Sequence, residues 1–332
     1  MIKKLFLASL LGLLFSCSDE HINNPDYNST KVLSYNIKKS EVTLLSFQNI
    51  EAYESKLAEL DSLRKIKLEE FTKLYNYLSE EDYNNKIEEL GFIEDSPYIE
   101  FEHKMNFHHS MRKEFTTEEE KNLEEDNIDN IDKLNEAYPF SVAQMTLLNY
   151  KGEVIIGKSI FKFSKDGYIE IRDGDLTKLI KINNGDLTIF SDTNVIVTYK
   201  EATENIPTVE CYRWKSKEES FYFNNNSEKV IYKVRFHSYP WKGTGFAEIN
   251  NYKKTGKKWK KRAKRMSVNL QIQFSDKDCY VVTRGFDSDS EYSKNVDVYF
   301  SSWGSFPQYR ANKDTGIRAS FFFGSFSKLL SL

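Results

Sequence analysis

"VIYKVRFHSY", residues 230–239, alternates along its length. Val230, Tyr232, Val234 and Phe236 fall on one face and Lys233, Arg235 and His237 on the other. That period of two predicts a half-buried strand whose cations face water. "SVNLQIQF", residues 267–274, repeats the pattern with Val268, Leu270, Ile272 and Phe274. From about residue 140 onward, turn signals such as "SKDG", "RDGD", "NNGD", "TG" and "DSDS" separate many such runs. Short strands at this spacing predict antiparallel sandwiches or small barrels, not a parallel sheet with crossover helices.

Upstream the period changes. Phe47, Ile50, Leu57, Leu60, Leu68, Phe71, Leu74 and Leu78 recur at intervals of three, four or their sums, one apolar helix stripe. "LSEEDYNNKIEELGF" offers Ser79 as an N-cap and Gly91 as a C-terminal stop. Thr117 and Glu120 fit a capping box for a further helix. No proline interrupts the chain between Pro25 and Pro97, in keeping with long helices.

Charge divides at the same place. Residues 51–136 carry 25 acids against 11 bases, whereas residues 137–332 carry 21 acids against 31 bases. The expected fold is therefore α+β: an N-terminal acidic helical segment, an antiparallel β meander and a β-sandwich-like C-terminal domain. The expected boundaries are a signal peptide over 1–16, a tether over 17–40 and the helical region over 41–140. A small meander over 141–203 and a β-domain with a basic hairpin over 204–332 follow, divided near "ATENIPTVE".

The chain opens "MIKKLFLASLLGLLFSCSDE". Lys3 and Lys4 precede an apolar run from Leu5 to Phe15, shorter than the roughly 20 residues that span a bilayer but suited to a signal-peptide core. The run stops at Ser16-Cys17, and this ending resembles a bacterial lipobox, in which Cys17 is lipidated and becomes the mature N-terminus. "LFSCS" is similar to the corresponding ending in Bacteroidota lipoproteins. A cleaved signal beside an incidental Cys17 is the alternative. No later segment approaches spanning length, so attachment would be by acyl chains, and more than one is needed for stable anchoring. The acids after Cys17 resemble an export signal to the outer face. The expected location is the outer membrane, exposed at the cell surface.

Beyond the lipobox, "LLNYKGEVIIGKSIFKFSKDGYIEI", residues 147–171, resembles a strand pair in uncharacterised Bacteroidota surface lipoproteins, on Asn149, Gly152, Val154, Ile156 and Gly157. The helical "LSEEDYNNKIEELGF" is similar to the element preceding that pair. The resemblance implies a surface lipoprotein with a helical front and a β-rich rear. It implies no activity and carries over no catalytic residue.

Signatures of known chemistry are missing. The sequence has no G-x-S-x-G, H-E-x-x-H, P-loop or G-x-G-x-x-G, so no catalytic residue and no cofactor are expected. His103, His108 and His109 miss the i, i+3 or i, i+4 spacing of a zinc site on one helix face. Asp287, Asp289 and Glu291 alternate as at the start of a calcium loop, but Tyr292 stands where the loop needs glycine; a solvated hairpin turn is expected. Asp173 and Asp175 also read as turn residues. A glycosidase pair assembled from separate strands is the enzymatic alternative. After lipidation only Cys211 and Cys279 remain, either one bridge or two buried thiols.

Two features point to binding instead. Trp241, Trp303 and Tyr309 sit beside Gly and Pro turns, where rings can stack on sugar faces or fill a core. "NNYKKTGKKWKKRAKRM", residues 250–266, packs cations onto both strand faces around Lys257, Lys258, Trp259, Lys260, Lys261 and Arg262. A half-buried strand does not tolerate that, so a wet ribbon turning at Thr255-Gly256 is expected. Its cations would meet water, the acidic helices, or an anionic glycan or lipopolysaccharide. Nucleic acid is not expected as a partner of an envelope protein; a protein partner is left open. The expected role is non-catalytic binding or assembly at the cell surface.

Overall fold

The computed structural model describes residues 30–37, 40–199, 211–276, 280–303, 311–312 and 316–332. The chain begins with strands β1 (Thr30–Ile37) and β2 (Ser40–Phe47) and continues into helices α1 (Ile50–Tyr75), α2 (Glu80–Leu90) and α3 (Ser96–Lys104). Helices α4 (Met111–Glu124), α5 (Asn130–Ala137) and α6 (Val142–Leu147) complete the helical layer. Strands β3 (Glu153–Ile156), β4 (Ser159–Ser164) and β5 (Gly167–Ile171) follow, then helix α7 (Leu176–Asn183) and β6 (Val195–Tyr199). The remainder is β: β7 (Cys211–Tyr212), β8 (Trp214–Phe223), β9 (Glu228–Ser238), β10 (Lys242–Thr255), β11 (Lys258–Lys261) and β12 (Lys264–Ser275). The last strands are β13 (Val281–Ser293), β14 (Asn295–Trp303), β15 (Ala311–Asn312), β16 (Ile317–Phe323) and β17 (Phe326–Ser331).

The C-terminal half is a sandwich, as its alternation predicts. One sheet runs β11-β10-β9-β8, with β14 pairing the first part of β10 along the edge that β11 takes further on, and the second runs β13-β12-β16-β17. Val230, Tyr232, Val234 and Phe236 pack against Val268, Leu270, Ile272 and Phe274 in a shared core. The strands β3 to β6 form the expected meander. They belong, however, to a six-stranded sheet that also takes in β1 and β2, with β2 parallel to β3. Thus β1 occupies residues expected in the tether, and Phe47, expected on a helix stripe, ends a strand and is buried. Helix α1 starts just after it, where Asn49 accepts the backbone N–H of Ala52.

Ser79 caps α2 and Gly91 ends it in the left-handed region at φ 59°. The capping box at Thr117 is not used. Ser110 caps α4 instead, accepting from Lys113 N at 3.1 Å, and Thr117 lies inside the helix with its hydroxyl bonded to Lys113 O. The earlier start brings Met111 and Phe115 into the helix, and both are buried. Asn149 and Gly152 owe their place to turn geometry. The Asn149 side chain accepts from the N–H of Lys151 and Glu153, and Gly152 has φ 79° with Phe163 O where a Cβ would stand.

The largest departure concerns the far face of β9. Lys233, Arg235 and His237 were expected in water, and all three are buried. The helices cover this face and supply its partners. Lys233 donates to Asn135, and Arg235 donates to Phe140 O. Lys233 thus stands between two layers, bonded to Asn135 on one side and to Glu248 of β10 on the other.

Candidate functional site

Where the helical layer meets the sandwich, it leaves a cleft of about 450 Å³. Antiparallel register builds one wall in rows. Lys242 pairs with Trp303, and Tyr239 N donates to Lys242 O at 2.8 Å. His237, Thr244 and Ser301 form the next row, then Arg235, Phe246 and Tyr299. Side chains two apart share a face, so Lys242, Thr244 and Phe246 of β10 all line the cleft. Helix α1 supplies the other wall, with Glu54, Leu57 and Asp61 on one face at helical spacing.

The inside is aromatic. Trp241 stacks on Tyr239 with ring centroids 5.6 Å apart and meets Phe161 edge-on at 5.3 Å. Burial is graded: His237 and Tyr239 are 6% and 4% exposed, whereas Trp303 at the mouth is 54% exposed. Glu54 ties the walls together, accepting from Trp241 Nε1 at 2.8 Å and from the Lys242 ammonium. That ammonium lies 5.7 Å from the Trp303 ring centre. At the inner end, Tyr239 donates to Gln144 Oε1 at 3.0 Å, and His237 Nδ1 stands 3.3 Å from the same hydroxyl. His237 also stacks on Trp214, with centroids 4.0 Å apart.

Beneath the cleft lies a buried charged layer. Arg64 bonds to Asn295 Oδ1 at 2.9 Å and stands 3.4 to 3.9 Å from carboxylates of Asp95, Glu94, Glu291 and Asp297. Burial, with Asp297 beside it, raises the Asp61 carboxyl above its ordinary range, although Tyr98 donates to it at 2.9 Å. Burial likewise pushes Glu291 to about 7. Glu248 goes the other way: burial opposes its ionisation, but Lys233 and Arg235 outweigh burial and hold it at about 2.

The basic hairpin does not project as a wet ribbon. It turns at Thr255-Gly256 as expected, then lies along the acidic helices. Lys261 meets Glu119 at 2.9 Å, Lys260 and Arg262 meet Glu88 at 3.2 and 3.0 Å, and Lys258 lies 3.8 Å from Glu124. Trp259 is buried with Ile128, Ile131 and Tyr252 rather than offered as a platform, and Arg262 is buried too. Lys257 is exposed at the turn. Opposite charge on the helices explains how a strand with cations on both faces can be covered.

Of the aromatic candidates, Trp303 is exposed, Trp241 is buried in the cleft wall, and Tyr309 lies outside the described residues. Cys211 is disulfide-bonded; Cys279 and Cys17 lie outside the described residues, as does the break at 202–210. Asp287, Asp289 and Glu291 sit within β13 rather than in a turn, where Asp289 pairs with Lys65 at 2.7 Å and Glu291 faces Arg64. Asp173 pairs with Lys178, and Asp175 caps α7. His103, His108 and His109 are exposed, and no group of three metal-ligating side chains occurs among the described residues. Sequence reasoning missed Glu54, Asp61, Gln144, His237 and Tyr239 as site residues. Only the last two carried a signal, through their closeness to Trp241 in the chain.

No helix among the described residues is long and apolar enough to cross a membrane. No family model matches the chain, and no curated protein matches it. It is similar to the crystal structure of a DUF4848 family protein from Bacteroides thetaiotaomicron, at 12% identity over 90% of this chain and 98% of that one. The TM-score is 0.20, at which the likeness carries no argument about fold or function.

Proposed function

We propose that this chain is a lipid-anchored protein of the outer membrane, exposed at the cell surface, that binds glycan rings without catalysis in the cleft between α1 and strands β10 and β14. The observation that carries this reading is Trp303, a large ring 54% exposed at the mouth of a cleft whose interior is already aromatic. Sugars present a C–H face that stacks on such rings, and their hydroxyls bond to flanking carboxylates, amides and serines. Glu51, Glu54, Gln144 and Ser301 stand in those places. The cleft volume of about 450 Å³ falls within the range of ligand pockets. Because helix carboxylates already meet the hairpin cations, the cleft and not the hairpin is the binding face. The lipobox ending at Cys17 supports the anchor.

A screen of the soluble form lacking residues 1–17 against neutral and acidic saccharides tests the binding. Trp303→Ala is expected to lower affinity about tenfold or more while leaving thermal stability unchanged. No retained saccharide, or equal retention by the variant, would overturn the reading. The anchor is tested separately by palmitate labelling, which Cys17→Ser should abolish.

One observation favours a hydrolytic alternative: Asp61, raised above the ordinary carboxyl range, shares the cleft with Glu54. Turnover of aryl glycosides that disappears in Asp61→Asn would replace the binding reading with that one.

A further inference from the structure

The mouth of the cleft lies between a helix ridge and an aromatic ring. On α1, Glu51, Ser55 and Ala58 follow one another at intervals of four and three, and all three are exposed and line the cleft. The strand wall presents Ser301 and the half-exposed Trp303, two apart and so on one face of β14. Ser55 and Ala58 are small, which leaves room between ridge and ring for a ligand lying flat on Trp303.

Charge in the cleft is one-sided. Its lining side chains include three carboxyls, Glu51, Glu54 and Asp61, against the single ammonium of Lys242. Glu54 is already satisfied, since it accepts from Trp241 Nε1 and from Lys242, and the ion pair leaves no net charge. Asp61 accepts from Tyr98, and burial lifts it to about 7, so in weak acid it keeps a proton. Glu51 remains: it is exposed at the rim, and among the described residues no cation meets it. The cleft also shows how it holds an ammonium. Lys242 Nζ lies 5.8 and 5.7 Å from the ring centres of Tyr239 and Trp303, with a carboxylate against it.

We propose that the cleft selects a glycan carrying a free amine: the sugar ring stacks on Trp303, its ammonium meets the Glu51 carboxylate, and a uronic acid is turned away. This rests on the glycan reading above and names the ligand class. An exposed ion pair alone adds little, but at this rim an ammonium meets a carboxylate and an aromatic wall together. A ligand carboxylate in the same place meets like charge, and an acetylated amine brings no charge at all.

Titration calorimetry of the soluble form lacking residues 1–17 tests this, in weak acid and low salt, where the sugar amine is protonated. The probes are glucosamine oligomers, their N-acetylated counterparts of equal length, and oligogalacturonate. Wild type is expected to bind the free-amine oligomer about fivefold more tightly than the acetylated one, and added salt should shrink that preference. Glu51→Gln, which keeps a hydrogen-bonding group of the same shape, should bring the two within about twofold of each other. Thermal melts accompany the variant, because an acid in the first turn also suits the helix dipole. Equal wild-type affinity for the two oligomers, a preference that Glu51→Gln leaves intact, an equal loss toward both, or preference for oligogalacturonate would overturn the proposal. Each of these leaves the glycan reading standing as long as binding depends on Trp303. If wild type binds no saccharide, both fall together.

Discussion

Lys233 and Glu248 stand opposite each other on β9 and β10, 3.3 Å apart, on a face that alternation assigns to water and the helices enclose. Asn135 from α5 accepts from the same ammonium, and Asn250 donates to Glu248 at 2.6 Å. The pair joins the helical layer to the sandwich. Removing one partner strands the other in a low-dielectric layer, so Glu248→Ala is expected to cost about 3–5 kcal/mol. Urea unfolding at neutral pH measures it; a cost like that of an exposed glutamate would show that water reaches the layer.

Glu218 on β8 is held at about 7, first by burial and then against the pull of Lys233 and Arg235. From its ordinary 4.5 up to about 7, the folded state keeps a proton that the unfolded chain has lost. The stability it contributes is thus full below about 4.5 and lost as pH rises through about 7. Glu218→Gln has no proton to lose. Its unfolding free energy should fall less than that of wild type between pH 4.5 and 7.5, a difference readable from urea melts at the two values.

Gly152 is the motif glycine for which the turn leaves no choice. A Cβ there would lie 2.2 Å from Phe163 O, at a φ of 79° that side chains rarely adopt. Phe163 N donates back to Gly152 O, so neither backbone can yield freely. Gly152→Ala should destabilise by at least about 2 kcal/mol, whereas Gly256→Ala, with open space around it, should cost less. Thermal melts of the two variants separate steric from purely conformational strain.

Lys261 and Glu119 give the basic hairpin its seat, with Tyr252 donating to the same carboxylate at 2.9 Å. Replacing Lys257, Lys258, Lys260 and Lys261 by Gln is expected to lower the melting temperature and leave saccharide affinity unchanged. Conversely, Glu88→Gln with Glu119→Gln should release cations and give salt-sensitive retention on heparin. Strong wild-type retention that the Lys replacements abolish would restore the hairpin as an anion-binding surface.

Features set by neighbours along the chain are legible from the residues alone. Alternation in "SVNLQIQF" specifies a strand and the face it buries, because side chains on a strand point to opposite sides in turn. Ser79 and Gly91 bound α2 for equally local reasons, and Asn149 with Gly152 makes its turn wherever the segment lies. What covers a face depends on how the layers dock. Lys233, Arg235 and His237 read as solvent-facing because period two separates two sides of a strand without saying whether either meets water. The hairpin's cations read as meeting water, the acidic helices or an anionic ligand, and only the fold chose the helices, because Glu88 and Glu119 lie more than a hundred residues away in the chain. The cleft joins residues 54, 144, 237 and 303, and no local pattern connects positions that only docking of helices on a sheet brings together.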